Sequence, residues 1–246
     1  MNFASVDIGN TAVKVSLWEN PDGDPESFYA GSVGEAAELL KERGVDRIGF
    51  CTTRELSSAE RKAVEDMGWW QLKSDGVLPM KIDYSSPATL GPDRVAAAIG
   101  ARAKYPSLPL MIADVGTALT LDIVDGSGVY RGGNISPGLE MRFRALHEFT
   151  SRLPRVVWKE VGSHFGSDTE SAIRNGVVWG LASEISQLFR LARKEYGCSL
   201  LALTGGDAQK IEGCLKTLLD NENDLIHEAS LVARGLYEAY SYENDK

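Results

Sequence analysis

Two stretches of the chain share one pattern of apolar and polar positions. In residues 3–20 and again in residues 112–139, an apolar run reaches an aspartate, a Gly and a Thr follow, and a second run of alternating residues returns. Alternation on both sides of a glycine-containing corner predicts a β-hairpin in each stretch. Because the two copies lie about half a chain apart, they predict two related half-domains.

The tips of the two hairpins carry residue types suited to polyphosphate. They are Asp7, Gly9 and Thr11 in the first hairpin, and Asp114, Gly116 and Thr117 in the second. Glycine lets backbone N–H groups approach phosphate oxygens, and a threonine hydroxyl can donate to them. A carboxylate can hold a cation that offsets the phosphate charge. One copy alone could be an ordinary hairpin turn, whereas two matched copies favour phosphate-binding hairpins that face a shared cleft.

The other segments alternate between helical and strand-like spacing, which is typical of an α/β fold. Helices are predicted over residues 34–43, 57–67, 93–105, 139–149, 170–196, 208–219 and 230–240, and strands over residues 47–51, 80–84 and 199–204. Glycines and a proline in residues 132–138 predict a loop. In the long helix, Gly176 and Gly180 are four residues apart, a spacing that predicts a close crossing with another helix.

Three local features have both a structural and a functional interpretation. Asp93 lies at or near a helix N-terminus, where a carboxylate can act as a cap, but Arg94 directly after it favours an anion nearby. Trp69 and Trp70 could stack on a nucleobase, although core or rim packing is the favoured interpretation. A strand, two glycines and a helix around residues 199–219 resemble a nucleotide-contacting corner, and many other α/β loops look the same.

Composition narrows the class of protein. The 246 residues have a formal net charge of −9 and a hydrophobic fraction of 43%, without a basic cluster. This argues against general binding to nucleic acid or anionic membranes, and no apolar run reaches the roughly 18 residues that span a bilayer. Three separated cysteines, Cys51, Cys198 and Cys214, are predicted to be reduced and mostly buried, and the three histidines give little support for a metal site. We expect a cytoplasmic protein with a small ligand, since the N-terminus enters a strand at once.

Seven short motifs in order resemble those of the type III pantothenate kinases, within the superfamily of actin-like and sugar-kinase ATPases. They are DIGNT at 7–11, LGPDR at 90–94, DVGTA at 114–118, GGNISPGL at 132–139, TSRLP at 150–154, GSDT-x-x-AI-x-x-G at 166–176 and TGGDA at 204–208. The actin-like class alone would predict the first, third and last, whereas Gly-x-Asp-Arg distinguishes this family. The resemblance covers nearly the whole chain, although residues 20–82 carry none of the motifs.

The resemblance implies an α/β fold of two ribonuclease-H-like half-domains, as in actin-like ATPases, around a central nucleotide cleft. Residues 1–110 would form the half with the first phosphate loop, and residues 111–246 the half with the second phosphate hairpin and the adenosine corner. The implied reaction is the phosphorylation of pantothenate by ATP to 4′-phosphopantothenate, the first step of coenzyme A biosynthesis. The implied cofactors are Mg²⁺ with ATP and a monovalent cation, K⁺ or NH₄⁺. A homodimer is implied, without nucleic acid or membrane as a partner.

The resemblance also assigns roles to individual residues. Asp93 would be the general base, Asp7 would help to hold Mg²⁺, and Asp114 would bind the monovalent cation. Residues in contact with ATP would be Asp7, Ile8, Gly9, Asn10, Thr11, Ala12, Val13, Lys14, Thr117, Gly205 and Gly206. Residues in contact with pantothenate would be Tyr84, Gly91, Pro92, Asp93, Arg94 and Thr169.

The chemistry of phosphoryl transfer is consistent with these residue types. Transfer to an alcohol needs neutralised ATP charge, in-line placement and a proton acceptor. An aspartate with a pKa near 3.9 is a weak base that acts mainly by orienting the hydroxyl and accepting its proton late. Beside an arginine that binds the substrate carboxylate, Asp93 is favoured as the base, and it could also cap its helix.

Several alternatives stay open at this point. A transcription-activator family shares much of the sequence pattern, but the −9 charge and the intact LGPDR argue against it. Actin-like sugar or acetate kinases are generally longer and do not explain Gly-x-Asp-Arg. Thr169 could serve Asp93 of a neighbouring subunit, or it could cap its own helix.

Overall fold

A computed structural model describes residues 2–20 and 23–244 of the chain. The strands of this part are β1 Phe3–Ile8, β2 Val13–Trp18, β3 Glu26–Ala30, β4 Arg47–Thr52, β5 Trp70–Gln71, β6 Lys81–Ile82, β7 Leu110–Val115, β8 Ala118–Val124, β9 Val129–Pro137, β10 Leu200–Thr204 and β11 Leu225–His227. The helices are α1 Val33–Glu42, α2 Ser58–Asp66, α3 Pro92–Lys104, α4 Leu139–Glu148, α5 Thr169–Tyr196, α6 Ala208–Leu218 and α7 Leu231–Asn244.

The chain divides into two compact units. The first comprises Met1–Ser107, Gly128–Tyr130 and Ser230–Lys246, and the second comprises Leu108–Ser127 and Arg131–Ala229. The division into halves 1–110 and 111–246 stays a prediction.

The sheet of the first unit has the order β3-β2-β1-β4-β5. Strand β1 pairs with β2 antiparallel and with β4 parallel, so it lies in the centre of the sheet. Helices α1 and α2 pack on an apolar cluster that includes Val6, Val15, Leu40 and Phe50. This arrangement confirms the hairpin predicted for the start of the chain.

The second unit repeats the same topology. Its strands follow the order β9-β8-β7-β10-β11, in which β7 pairs with β8 antiparallel and with β10 parallel. Strand β7 is therefore the counterpart of β1, and β10 is the counterpart of β4. The sequence repeat is confirmed as a repeat of sheet topology, and the α/β fold class is confirmed with it.

Helix α7 belongs to the first unit because it packs closely on α3. A Cβ atom at Gly235 would overlap the carbonyl of Ala96, and one at Gly100 would overlap the carbonyl of Leu231. The hydroxyl of Ser5 on β1 donates to the carbonyl of Ala233 at 2.8 Å. Glycines on both helices thus allow a backbone-to-backbone contact that joins the end of the chain to its beginning.

Most predicted helices and strands are confirmed, with small shifts at their ends. The loop predicted over residues 132–138 is wrong, because β9 extends through these residues to Pro137. A Cβ atom at Gly133 would overlap the carbonyl of Leu121, so the glycine serves a close strand contact and not a turn. The strand predicted over residues 80–84 shortens to Lys81–Ile82, which pairs with Val129 and Tyr130.

The two remaining packing predictions have different outcomes. Trp69 is buried with its ring edge against Phe50, and Trp70 is half-buried against Tyr240, which confirms core and rim packing. The helix crossing predicted at Gly176 and Gly180 is absent from the described part of the chain, where no atom outside their own helix lies within 4 Å of a Cβ built at either glycine.

A search of the described residues for a helix both long enough and apolar enough to cross a bilayer finds none.

Candidate active site

The first hairpin forms a tight exposed turn on a buried base. Ile8 and Val13 are the last cross-strand pair of β1 and β2, and both are buried. Beyond them the N–H of Gly9 donates to the carbonyl of Ala12 at 2.9 Å, which closes the turn. The exposed turn residues are Asn10, Thr11 and Ala12.

Asp7 lies in β1, one residue before its carboxyl end, in a setting that disfavours its charge. Its cross-strand partners are Lys14 on β2 and Cys51 on β4. Burial and the charge of Asp93 raise the pKa of Asp7 to about 6, although the Cys51 thiol and Lys14 act in the opposite direction. The Cys51 thiol donates to Oδ1 of Asp7 at 3.6 Å. The hairpin therefore presents a carboxylate whose charge a cation would stabilise.

The LGPDR motif forms the entry to α3. Leu90 is buried, and its carbonyl accepts a hydrogen bond of 2.7 Å from the hydroxyl of Ser74, itself buried. Gly91 occupies the N-cap position, and Pro92 is the first residue of the helix. A Cβ atom at Gly91 would lie 2.5 Å from Oδ1 of Asp93. A side chain at position 91 would therefore displace the carboxylate from the place it occupies.

Asp93 is the second residue of α3, and not its N-cap. The N-cap residue, Gly91, has no side chain to cap the helix, whereas the Asp93 carboxylate accepts from backbone N–H groups of the first turn, its own and that of Arg94. Burial raises the pKa of Asp93, opposed by the backbone N–H and the charge of Arg94. Arg94 itself is only 5% exposed. A partly buried carboxylate therefore stands beside a buried guanidinium and close enough to Asp7 for the two charges to interact.

The two other predicted pantothenate contacts, Tyr84 and Thr169, come from other segments of the chain. Tyr84 is half-buried, and its ring meets the edge of Tyr130 at a centroid distance of 6.2 Å. Thr169 is exposed and is the first residue of α5. The N-cap of α5 is Asp168, which forms a capping box with Ser171. The interpretation of Thr169 as the cap of its own helix is therefore wrong.

In the second unit the equivalent hairpin places Asp114 near the end of β7. The N–H of Gly116 donates to the carbonyl of Ala118 at 3.0 Å, so this turn is shorter than the first. Thr117 is exposed at its tip. Gly138 donates from its N–H to the carbonyl of Thr117 at 3.2 Å, and any side chain at Gly138 would overlap the turn. Gly138, the last glycine of the GGNISPGL motif, thus supports the turn.

The TGGDA motif packs directly against Asp114. Gly205 has a φ of +97°, and a Cβ atom there would lie 2.5 Å from Oδ1 of Asp114 and 2.5 Å from the carbonyl oxygen of Val115. Gly206 faces open space. The N–H of Asp207 donates to the carbonyl of Val115 at 2.9 Å. The two glycines therefore differ. Gly205 permits a close contact with Asp114 and Val115, whereas Gly206 leaves the surface beside it open.

The structure brings most of the predicted site residues together within their own units. Asp7, Lys14, Asp93 and Arg94 share the first unit, whereas Asp114, Thr117, Gly205 and Gly206 share a corner of the second. Sequence reasoning missed two residues next to the first loop, Cys51 and Arg54, because neither belongs to a motif. The signal that could have found them is their position at the end of β4, the strand that follows the first hairpin and helix.

Comparisons with solved structures support the fold. The chain is similar to a protein from Campylobacter jejuni described as a proposed Baf family transcriptional activator, with a TM-score of 0.62, 21% identity and 98% of each chain covered. It is also similar to the activator of the 2-hydroxyisocaproyl-CoA dehydratase from Clostridium difficile with bound ADPNP, with a TM-score of 0.55, 15% identity, and 100% and 96% of the two chains covered. At these identities the likeness shows the fold alone, which is that of the actin-like ATPases and sugar kinases.

Sequence comparisons decide the family. Residues 4–191 match the family model described as type III pantothenate kinase. Curated relatives with that name include one from Porphyromonas gingivalis, 36% identical, which covers 96% of this chain and 97% of the relative. Another, from Phocaeicola vulgatus, is 34% identical and covers 98% of both. The chain therefore belongs to the type III pantothenate kinase family.

Proposed function

We propose that this chain transfers the γ-phosphoryl group of ATP to the hydroxyl group of pantothenate, giving 4′-phosphopantothenate, the first step of coenzyme A biosynthesis. Family membership supports this reaction, and the intact LGPDR entry to α3 is the observation that carries it. The entry combines a carboxylate, a buried arginine and a glycine that leaves room between them.

Asp93 is the proposed general base. A base works best when its pKa approaches the working pH, and burial raises the pKa of Asp93 above that of an ordinary aspartate. Its carboxylate accepts from backbone N–H groups of the first turn, which hold it in place, and its remaining lone pairs can accept from a substrate hydroxyl. Arg94, buried beside it, is the proposed partner for the carboxylate of pantothenate.

The first loop is the proposed site for the phosphates of ATP. Lys14 lies opposite Asp7 in the strand pair and supplies positive charge, while the exposed turn presents backbone N–H groups. Asp7 fits a role in holding Mg²⁺. Burial and the charge of Asp93 destabilise its carboxylate and raise its pKa to about 6, and a bound cation would offset both effects. Among the described residues no three or more His, Cys, Asp or Glu side chains are placed so that they could hold a metal ion together. A single carboxylate suits Mg²⁺, which usually keeps several waters and binds the phosphates of its substrate.

The corner of the second unit where Gly205 packs against Asp114 is the proposed monovalent-cation site. Oδ1 of Asp114 and the carbonyl oxygen of Val115 both lie 2.5 Å from the position that a Cβ of Gly205 would occupy. A carboxylate and a carbonyl are oxygen donors of the kind that hard cations prefer. Thr117 at the turn is the proposed contact to ATP, and the open surface at Gly206 is the proposed border of the adenosine.

A homodimer forms part of the proposal. Gly176 and Gly180 are exposed on α5, with open space above both. Such a surface of small residues permits close approach of a second helix. Thr169 at the start of the same helix is then proposed to reach the pantothenate site of the partner.

Incubation of the purified chain with pantothenate, Mg-ATP and K⁺ tests the function, with 4′-phosphopantothenate measured by mass spectrometry. Acetate and hexoses serve as competing acceptors, since related kinases use them. Asp93→Asn is expected to abolish most of the product, whereas Asp75→Asn, at an exposed aspartate of the same unit, is expected to leave it unchanged. The absence of phosphopantothenate with the wild-type chain would refute the proposal and favour a regulatory role.

A further inference from the structure

Arg54 lies two residues beyond β4 and forms hydrogen bonds to three parts of the first unit. Its Nε donates to the carbonyl of Gly9 at 3.2 Å. Its two terminal nitrogens donate to the carboxylate of Glu60 at 3.0 and 2.7 Å, and one also reaches the carbonyl of Glu55 at 3.1 Å. One guanidinium therefore connects the phosphate loop, the loop after β4 and helix α2.

Glu60, the partner of Arg54, is itself held in place. It occupies the third position of α2, where its carboxylate accepts from the N–H of Ser57 at 2.9 Å. The Ser57 hydroxyl accepts in return from the N–H of Glu60 at 3.3 Å, which completes a capping box. Arg54 is thus fixed by a rigid helix end on one side, and it holds the Gly9 carbonyl on the other.

A contact to the Gly9 peptide affects the conformation of the whole turn at residues 9–12. The N–H of Gly9 closes the turn by donating to Ala12, while its carbonyl receives the bond from Arg54. A glycine has more freedom in φ and ψ than other residues, so both bonds together restrict the turn. A second link is the N–H of Thr53, which donates to the carbonyl of Ile8 at 3.3 Å.

We propose that Arg54 is a positioning residue that holds the Gly9 peptide, and with it the turn at residues 9–12, in the conformation that receives the phosphates of ATP. This proposal rests on the proposed function of the first loop. Preorganisation of this kind lowers the cost of ordering a loop when a ligand binds. Arg54 acts through Gly9 and is not itself a catalytic residue.

The geometry distinguishes Arg54 from an ordinary surface ion pair. The side chains of Arg54 and Glu60 are 28% and 20% exposed, and their two hydrogen bonds are bidentate. Arg144 and Glu148 on α4 form a comparable pair within one helix, but these side chains are 57% and 49% exposed and belong to the second unit. Only the first pair continues into a backbone carbonyl of a proposed ligand loop.

The test compares four variants. Arg54→Ala removes all the hydrogen bonds of the guanidinium. Arg54→Lys keeps the positive charge but loses the planar guanidinium that binds Glu60 through two nitrogens. Ser57→Ala weakens the cap of α2 without touching the bond to Gly9. Arg144→Ala is the control for loss of an arginine–glutamate pair elsewhere. Each variant is measured for its Kd for Mg-ATP, for the KM for ATP and kcat, for Tm, and for hydrogen exchange in a peptide that covers residues 8–13.

In Arg54→Ala the amide of Gly9 is expected to exchange faster, and the Kd and KM for ATP are expected to rise about tenfold, a factor equal to about 1.4 kcal/mol. The kcat is expected to stay within about twofold, because a looser loop weakens binding more than chemistry. Arg54→Lys is expected to fall between Arg54→Ala and the wild type. Ser57→Ala is expected to lower Tm without a change in ATP binding or in hydrogen exchange of residues 8–13. Arg144→Ala is expected to change neither ATP binding nor this hydrogen exchange.

Two results would overturn the proposal. If Arg54→Ala lowers Tm as Ser57→Ala does, with unchanged exchange and ATP binding, then the arginine only supports α2. If kcat falls while KM is unchanged, then Arg54 stabilises the transition state directly. Hydrogen exchange and ATP binding need no pantothenate, so both remain decisive even if the wild-type chain makes no phosphopantothenate.

Discussion

Gly205 and Gly206 are adjacent, yet the structure predicts opposite consequences of replacing each by alanine. Gly205 has a φ of +97°, a conformation that costs an L-residue about 1–2 kcal/mol. Its new Cβ would also lie 2.5 Å from both Oδ1 of Asp114 and the carbonyl oxygen of Val115. The Val115 carbonyl cannot retreat easily, because it belongs to the central strand β7. Overpacking of this kind typically costs about 1–3 kcal/mol.

Gly205→Ala is therefore expected to reduce the free energy of unfolding by about 2–5 kcal/mol. For a chain of this size each kcal/mol lowers Tm by roughly 2–4 °C, so the fall should be clear in thermal denaturation followed by circular dichroism. Gly206→Ala is the matched control, because it is exposed and no atom lies within 4 Å of its Cβ. Its free energy of unfolding is expected to change by less than about 1 kcal/mol.

The same pair of variants also tests the proposed cation site. If the corner around Asp114 binds K⁺ as proposed, activation by K⁺ should weaken in Gly205→Ala, whose methyl group pushes on Asp114, and persist in Gly206→Ala. Equal melting temperatures for the two variants would refute the reasoning, since they would show that the corner around Asp114 accepts a methyl group without strain.

Four further predictions concern the other site residues. Asp93→Asn is expected to lower kcat by about 10²–10⁴ with little change in Tm, and near-normal turnover would make Asp93 structural. Because the pKa of Asp7 is raised from 3.8 to about 6, its native state binds more protons than the unfolded state between these values, so stability falls as pH rises through this window. In EDTA, Asp7→Asn should therefore show a smaller fall of Tm between about pH 4 and 7 than the wild type, and parallel curves would contradict the pKa shift. If Asp114 binds K⁺ or NH₄⁺, the wild type should lose activity in Na⁺ or Li⁺ and Asp114→Asn should lose this dependence; equal activity of the wild type in Na⁺ and K⁺ would rule out the role. If Thr169 serves the partner's Asp93, subunit exchange between Asp93→Asn and Thr169→Val chains should restore about a quarter of wild-type activity, whereas no recovery would place both residues in one chain.

Local patterns in the sequence were sufficient for much of the fold and part of the site. The two hairpins and the start of α3 at LGPDR both depend on residues within a few positions of one another. Alternation of apolar and polar residues, glycines in turns and helix-capping residues are local signals, so they predict such short-range structure directly. The repeat of two hairpins also predicted the repeated topology, because the same local sequence pattern forms the same strand pairs.

Tertiary structure decided the contacts between residues far apart in sequence. Cys51 and Arg54 reach Asp7 and Gly9 across 44 and 45 residues, and helix α7 returns to the first unit through glycines on two helices. The raised pKa of Asp7 likewise depends on burial and on Asp93, neither of which the DIGNT motif around Asp7 contains. Residues 132–137 form a strand despite their glycines, because pairing and close packing against β8 outweigh the turn preference of glycine and proline. Sequence therefore determined which groups the site contains, and long-range packing determined their neighbours, their protonation and how firmly they are held.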